Sequence, residues 1–125
     1  FYKKKVDALF FYQNYYKICV IILLDFLKMS SFKHVIYWLI ANSIGGKNRI
    51  KILAEIFEKP HNANELSESL NIEYKTVRYH LKVLMENNLV VSAGSRYGRT
   101  YFISDQLREH KEYFTQICNE LNAKK

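Results

Sequence analysis

The sequence is poor in residues that cross-link or sharply bend a chain, with two cysteines, one proline and four glycines among 125 residues. Cys19 and Cys118 lie far apart and belong to no CxxC or Cys/His spacing. They therefore indicate neither a disulfide framework nor a zinc site. We interpret them as reduced thiols on apolar helix faces, which predicts a cytoplasmic protein.

Catalytic motifs are missing as well. The sequence contains no glycine-rich phosphate loop, nucleophile elbow or HExxH run, and its Ser, His and Asp residues follow no catalytic spacing. His110 and Cys118 could share one face of a helix, but two ligands do not complete a tetrahedral zinc shell. His80 is interpreted as a half-buried core residue. We therefore predict that the protein is not an enzyme and uses no metal or cofactor.

Uncharged runs in the sequence are too short for a membrane span. The longest in the N-terminal part of the chain cover residues 8–16, 18–24 and 35–46, whereas a transmembrane helix needs roughly 20 apolar residues. A window over residues 8–27 would bury Lys17 and Asp25, each at a cost of about 2.5–3.5 kcal/mol at the centre of a bilayer. Both side chains could reach the headgroups, so a membrane anchor remains an alternative for this segment.

Residues 1–44 form an apolar arm that holds eleven of the nineteen aromatic residues. A helical spacing over residues 31–43 is set by Phe32, Ile36, Leu39 and Ile40. Such a helix has to cover the domain or pair with a second subunit, because its apolar face cannot stay exposed. Met29 directly precedes a plausible helix cap, so residues 1–28 are interpreted as an extension that is poorly ordered or not always translated.

The formal net charge is +7, of which residues 1–44 contribute +4 and residues 45–125 contribute +3. An excess of positive charge indicates a polyanionic partner or an anionic membrane surface. Because the excess is spread over both parts of the chain, the positions of individual cations have to identify the partner.

Residues 45–104 are predicted to form the central domain. Gly45 and Gly46 end the arm, and an amphipathic helix follows over residues 47–58. Asn62 and Glu65 predict a capping box ahead of a short helix over residues 64–70. A tight turn at residues 71–73, in which Asn71 tolerates the left-handed conformation, then leads into a helix over residues 74–87.

A β-hairpin and one further helix complete the predicted chain. Residues 89–93 and 99–103 alternate at period two on either side of the glycine-bounded loop 94–98. Ser104 or Asp105 is predicted to cap a single helix that ends near residue 122 and whose apolar seam suits helix pairing. The predicted fold is mainly α with a small β-hairpin, and residues 105–125 are expected to contribute to a dimer interface.

This order of elements is that of a winged helix-turn-helix domain, and the residues themselves resemble a family. The most specific stretches are residues 45–49, 62–64, 74–78 with His80 and Leu81, and 97–98. Over about residues 38–114 the chain resembles the archaeal ArsR-like winged-helix transcriptional regulators. The resemblance implies a sequence-specific DNA-binding regulator that acts as a homodimer. The chain lacks the Cys-x-Cys box of ArsR-type metal sensors, so metal control is not implied.

The cationic and aromatic face of the second helix of the pair is the predicted DNA surface. Arg78 suits a bidentate contact to guanine, and Thr76 or Tyr79 suits a thymine methyl group or a phosphate. Lys75 and Lys82 are expected to neutralise phosphates. The full set of predicted contacts is Tyr74, Lys75, Thr76, Arg78, Tyr79, Lys82, Arg96, Arg99 and Arg49.

The predicted contacts outside that helix lie in two places. Arg96 and Arg99 belong to the hairpin, and Arg96 is expected on the DNA backbone or in the minor groove. Lys47 and Arg49 stand at a helix start, where they oppose the helix dipole, and a DNA phosphate would relieve that opposition. Two alternatives remain: a membrane-tethered regulator anchored by residues 6–27, and a winged-helix module that contacts an acidic protein partner.

Overall fold

The structure is a computed structural model, and it describes residues 13–24, 31–95 and 98–123. The chain divides into two compact units, Phe1–Ser31 and Phe32–Lys125. In the first unit, residues 13–24 form helix α1, whose side chains are exposed along its length. Within the described ranges, no helix is long and apolar enough to cross a membrane. The interpretation of residues 1–28 as an extension falls mostly outside the described residues.

The second unit is mainly helical with a small antiparallel sheet, as predicted. Its elements are α2 Ser31–Ala41, α3 Gly46–Glu58, β1 His61–Asn62, α4 Ala63–Leu70, α5 Tyr74–Glu86, β2 Val90–Ala93, β3 Thr100–Ile103, α6 Asp105–Glu109 and α7 Lys111–Ala123. This is the winged helix-turn-helix order, with additional helices before and after it. The fold class predicted from the sequence is therefore confirmed.

The sheet has the strand order β1-β3-β2. The predicted hairpin is present, with Val90 opposite Ile103 and Ala93 opposite Thr100. The short segment before α4, expected to be a connection or a one-bridge strand, adds a third strand by pairing His61 with Tyr101. The start of α4 is consequently fixed beside β3, at the base of the hairpin loop.

Helix α2 belongs to the core of this unit. Phe32, Ile36, Leu39 and Ile40 are all buried, as their helical spacing predicts. The boundary expected at Gly45 and Gly46 is therefore a corner inside the unit, and the division of the chain lies between Ser31 and Phe32. A Cβ atom at Gly46 would collide with the Ile40 carbonyl oxygen, so glycine allows α3 to begin directly against the end of α2.

The start of α4 and the turn after it are held by side-chain hydrogen bonds. The Glu65 amide donates to Asn62 Oδ1 at 2.8 Å, and the Asn62 amide donates to Glu65 Oε1 at 3.4 Å, which confirms the predicted capping box. Asn71 adopts the left-handed conformation with φ 54° and ψ 46°. Ser67 Oγ donates to the Ile72 carbonyl at 2.7 Å across the turn. These contacts fix the direction in which α5 leaves α4.

The last helix is broken where the sequence predicts continuity. α6 ends at Glu109 and α7 starts at Lys111. At the break, the His110 amide donates to the Leu107 carbonyl at 2.9 Å, and His110 Nδ1 donates to the Gln106 carbonyl at 2.8 Å. The His110 ring also packs against Phe32, with ring centroids 5.1 Å apart. The tightened turn redirects the chain, so that Phe114 of α7 packs against Phe57 of α3.

Candidate nucleic-acid interface

Helix α5 separates buried residues from a cationic and aromatic outer face. Val77, His80, Leu81 and Leu84 are buried against the core. The predicted contacts on the outer face are exposed, namely Tyr74, Lys75, Arg78, Tyr79 and Lys82, while Thr76 is half-buried. All six side chains belong to one helix that is anchored along its back, so the face has a fixed orientation relative to the core.

Arg78 lies near the middle of this outer face. Its guanidinium carbon is 6.0 Å from the centroid of the Tyr74 ring, which is a cation–π contact one helical turn away. A ring below the guanidinium restricts the conformations of a long side chain. Tyr74 therefore supports Arg78 without removing its hydrogen-bond donors from solvent.

Two open clefts flank Arg78, with volumes of about 370 Å³ and 500 Å³. The first lies between Arg78, Arg99 and the start of α4 at Asn62 and Asn64. The second runs along α5 and includes Lys75 and Lys82 as well as the two arginines. Arg78 and Arg99 thus contribute to both clefts, and the surface around them carries cations from two separate parts of the chain.

The hairpin loop is shaped by its two glycines. Gly94 has φ +107° and Gly98 has φ +140°, backbone conformations that side chains rarely adopt. A Cβ atom at Gly94 would lie 3.1 Å from the Gly98 carbonyl oxygen, so the two strands approach closely at the base of the loop. Arg99 follows directly and is exposed. Arg96 lies outside the described residues, and its DNA contact stays a prediction.

Arg49 lies in the interior of the protein and not on the surface. Its side chain is buried at 6% exposure. Nη1 donates to the Leu39 carbonyl at 2.9 Å and to Ser43 Oγ at 2.8 Å. This corrects the expectation of a surface cation at the start of α3: the carboxyl end of α2, and not a phosphate, receives the guanidinium.

His80 is more buried than the half-buried residue expected from sequence, with 4% exposure. Burial, followed by the field of the Arg49 guanidinium, lowers the pKa of the imidazole below its usual 6.5. The ring is therefore neutral in the folded protein at neutral pH. His80 Nδ1 has no hydrogen-bond partner within the described part of the chain.

The cysteines and histidines do not assemble a metal site in the described parts of the chain. Among residues 13–24, 31–95 and 98–123, no three His, Cys, Asp or Glu side chains are placed to hold a metal ion. Cys19 and Cys118 are both free thiols on helices. Burial raises the pKa of Cys118, so this thiol is protonated and unreactive at neutral pH.

Residues 46–92 match the family described as bacterial regulatory protein, arsR family. The match begins with α3, includes the two helices around Asn71 and ends in β2. Over these residues the chain is similar to an arsR-type helix-turn-helix domain. Such a domain binds DNA in a transcription regulator, and α5 is the second helix of its helix-turn-helix pair, α4 and α5.

Solved structures of transcription regulators share the fold of the chain. Reduced HlyU from Vibrio cholerae N16961 is 23% identical, with a TM-score of 0.51 over 68% of this chain and 81% of that one. The transcriptional regulator HlyU from Vibrio vulnificus CMCP6 is 18% identical, with a TM-score of 0.55 over 80% and 96%. Staphylococcus aureus MarR, solved with salicylate and kanamycin, is 22% identical, with a TM-score of 0.53 over 91% and 73%. A comparison with curated protein sequences gives no match.

Sequence reasoning missed the part of the surface contributed by α4. Asn64 is exposed and lines the first cleft next to Arg78 and Arg99. The capping box located the start of α4 correctly, but only the pairing of His61 with Tyr101 brings that start beside the hairpin. The sequence of a two-residue strand contains too little pattern to reveal its partner.

Proposed function

We propose that this protein binds double-stranded DNA in a sequence-specific manner and regulates transcription, with α5 in the major groove and the hairpin loop 94–98 on the adjacent backbone. The observation that supports this most is the exposed cationic face of α5, the second helix of the helix-turn-helix pair in the stretch similar to the arsR family. The major groove of B-DNA, about 12 Å wide, admits an α-helix. The buried back of α5 holds that face in one orientation.

The side chains of α5 divide into those that read bases and those that hold the backbone. Arg78, supported by the Tyr74 ring, makes the bidentate contact to guanine N7 and O6. Thr76 and Tyr79 contact a thymine methyl group or a phosphate. Lys75 and Lys82 neutralise phosphates, since long flexible ammonium side chains position a protein more than they read sequence.

The first cleft extends this surface toward the hairpin. Arg99 contributes a second guanidinium beside Arg78, and Asn64 offers an exposed amide at the start of α4. Helix starts attract anions, because their free amide groups point outward. A DNA strand that passes from α5 to the hairpin would therefore meet cations or amide donors along its path.

We infer that the protein acts as a homodimer in the cytoplasm. The outer face of α2 exposes Tyr37 and Trp38, the latter at 62%, and large exposed aromatic residues favour a protein contact. Two copies of α5 would then meet half-sites about 34 Å apart on one side of the duplex. Membership of an archaeal branch of ArsR-like regulators stays a prediction from the sequence.

A membrane-tethered version of the same regulator is the second candidate. It is favoured by α1, in which the consecutive apolar residues from Ile18 to Leu24 are exposed. Fractionation of cells distinguishes the tethered regulator from the untethered one. A tethered protein resists extraction from membranes by high salt and requires detergent. A winged helix that contacts only an acidic protein would show no retention of DNA at low salt.

Selection of bound sequences from random duplex DNA tests the proposal and also yields the site. Successive rounds should enrich a short motif that contains guanine and repeats as two half-sites. Recovery of unenriched sequence at every round would contradict sequence-specific binding. The variant Arg108→Ala removes an exposed arginine of α6 that lines neither cleft of the proposed surface, and it should select the same motif.

A further inference from the structure

Arg49 connects two helices that meet at a corner. It belongs to α3, and its Nη1 donates to the Leu39 carbonyl in the last turn of α2. Ser43 Oγ donates to the same carbonyl at 2.7 Å and accepts a hydrogen bond from Arg49 Nη1. The Leu39 carbonyl, which has no partner inside α2, thereby accepts two hydrogen bonds. The contact holds the end of α2 against the start of α3.

The side chain of His80, from α5, lies at the same corner. A Cβ atom at Gly45 would lie 2.7 Å from His80 Cε1 and 3.2 Å from Arg49 Cζ. The imidazole and the guanidinium therefore share the space above Gly45, and no larger residue fits there without moving one of them. Both side chains are more than nine-tenths buried, and Arg49 Nε and His80 Nδ1 lack hydrogen-bond partners among the described residues.

We propose that Arg49 and His80 form a positioning pair that sets the orientation of α5 for DNA. This inference rests on the proposed function. Arg49 fixes the corner between α2 and α3, and His80 supports α5 against that corner. Neither residue touches DNA. Tyr79, whose ring lies 5.4 Å from the His80 ring, and Arg78 are the next residues on the outer face.

The pair makes the orientation of α5 sensitive to protons. Arg49 is the charged group that acts on the imidazole, and within the described residues no carboxylate contributes to the shift of the His80 pKa. A protonated His80 would place a second buried cation beside the first, and the described residues offer no acceptor to Nδ1. Separation of the two cations would displace α5 and the two proposed contacts, Arg78 and Tyr79, that directly precede His80.

Protonation of His80 is expected to affect DNA affinity in the opposite direction to protonation of a histidine on the surface. Protonation of an exposed histidine adds positive charge and strengthens attachment to phosphates at any sequence. Protonation of His80 misplaces base-reading side chains, so it weakens binding to the selected site while leaving non-specific attachment largely in place. The ratio of specific to non-specific affinity therefore falls with acidity. One proton is involved, so the change is at most about tenfold per pH unit.

The test measures affinity for the selected duplex and for a scrambled duplex of equal length from pH 7.5 downward, as far as circular dichroism shows that the protein stays folded. In the wild type the affinity ratio should fall as pH decreases, although the protein stays folded. Simple loss of folded protein would lower both affinities equally. His80→Phe keeps an aromatic ring that cannot bind a proton. The ratio of specific to non-specific affinity should therefore not change with pH in this variant. His80→Gln is a second such variant in case the first does not fold.

Two further measurements complete the test. His110→Gln removes a half-exposed histidine from the turn between α6 and α7 and should keep the wild-type pH dependence. In the DNA-free protein, backbone amide resonances of α5 should shift as His80 titrates, which tests the pair even if no duplex is selected. A constant affinity ratio in the wild type, a ratio that still falls in His80→Phe, or α5 resonances that do not follow His80 would each overturn the proposal.

Discussion

Arg78 of α5 and Arg99 at the base of the hairpin line the same two clefts, although they come from different elements of the fold. The surface between them is built by three segments, since the start of α4 forms the far wall of the first cleft. Long-range pairing of β1 with β3 holds these segments together. In the proposed binding mode, a DNA strand on this surface would be contacted by α5 and the hairpin at once.

Salt should strongly weaken binding to the selected DNA. If two subunits neutralise roughly 6–10 phosphates, affinity should fall about 10³–10⁵-fold between 50 and 200 mM salt. Fluorescence anisotropy with a labelled duplex measures this dependence. A response that is flat over this range would count against a DNA interface made of lysine and arginine.

Substitution of Arg99 should reduce affinity with little effect on sequence preference. Arg99→Ala removes a cation next to the backbone path and should lower the slope of the salt dependence by about one. The preferred motif should stay the same. Arg108→Ala is the matched control, since it removes the same charge from an exposed position on α6. Equal losses of DNA affinity in the two variants would show that Arg99 contributes no more to binding than any other exposed arginine.

Gly46→Ala should destabilise the fold. A Cβ atom there collides with the Ile40 carbonyl oxygen, so α3 has to move away from the end of α2. Overpacking of this kind costs about 1–3 kcal/mol. Chemical denaturation measures the loss. Lys51→Ala, at an exposed position of the same helix, should stay within about 0.5 kcal/mol of the wild type.

Stability should decrease in mild acid because of His80. The pKa of His80 is lowered in the folded state by burial and by Arg49, whereas in the unfolded chain it is near 6.5. The unfolded chain therefore binds the proton more readily, and the stability present above pH 6.5 is lost as pH falls below it. The free energy of unfolding should decrease by at most about 1.4 kcal/mol per pH unit from this group. The free energy of unfolding should depend less steeply on pH in His80→Phe.

Local patterns account for most of what could be predicted. Apolar spacing placed Ile36 in the core and Arg78 on the outer face of α5, because a helix repeats every 3.6 residues. The capping box at Asn62 and the left-handed Asn71 depend on residues within a few positions of each other. Such features are encoded in short stretches, so sequence alone was enough.

Contacts between distant segments could not be predicted. Arg49 stands at a helix start, where its charge suggests exposure, and only the arrival of the α2 carboxyl end explains its burial. At the break in the last helix, the His110 ring packs against Phe32 from another helix. The two-residue strand at His61 is defined by its partner strand. In each case the decisive group lies far away in sequence.

The most direct test of the account is the affinity of wild-type protein and Arg78→Ala for the selected duplex and for duplexes with its guanines replaced. A bidentate guanine contact is worth about 1–3 kcal/mol, so the variant should bind the selected duplex roughly 5- to 150-fold more weakly. It should also no longer distinguish guanine from other bases at one position of each half-site. Unchanged affinity and unchanged discrimination in Arg78→Ala would contradict the assignment of α5 as the recognition helix.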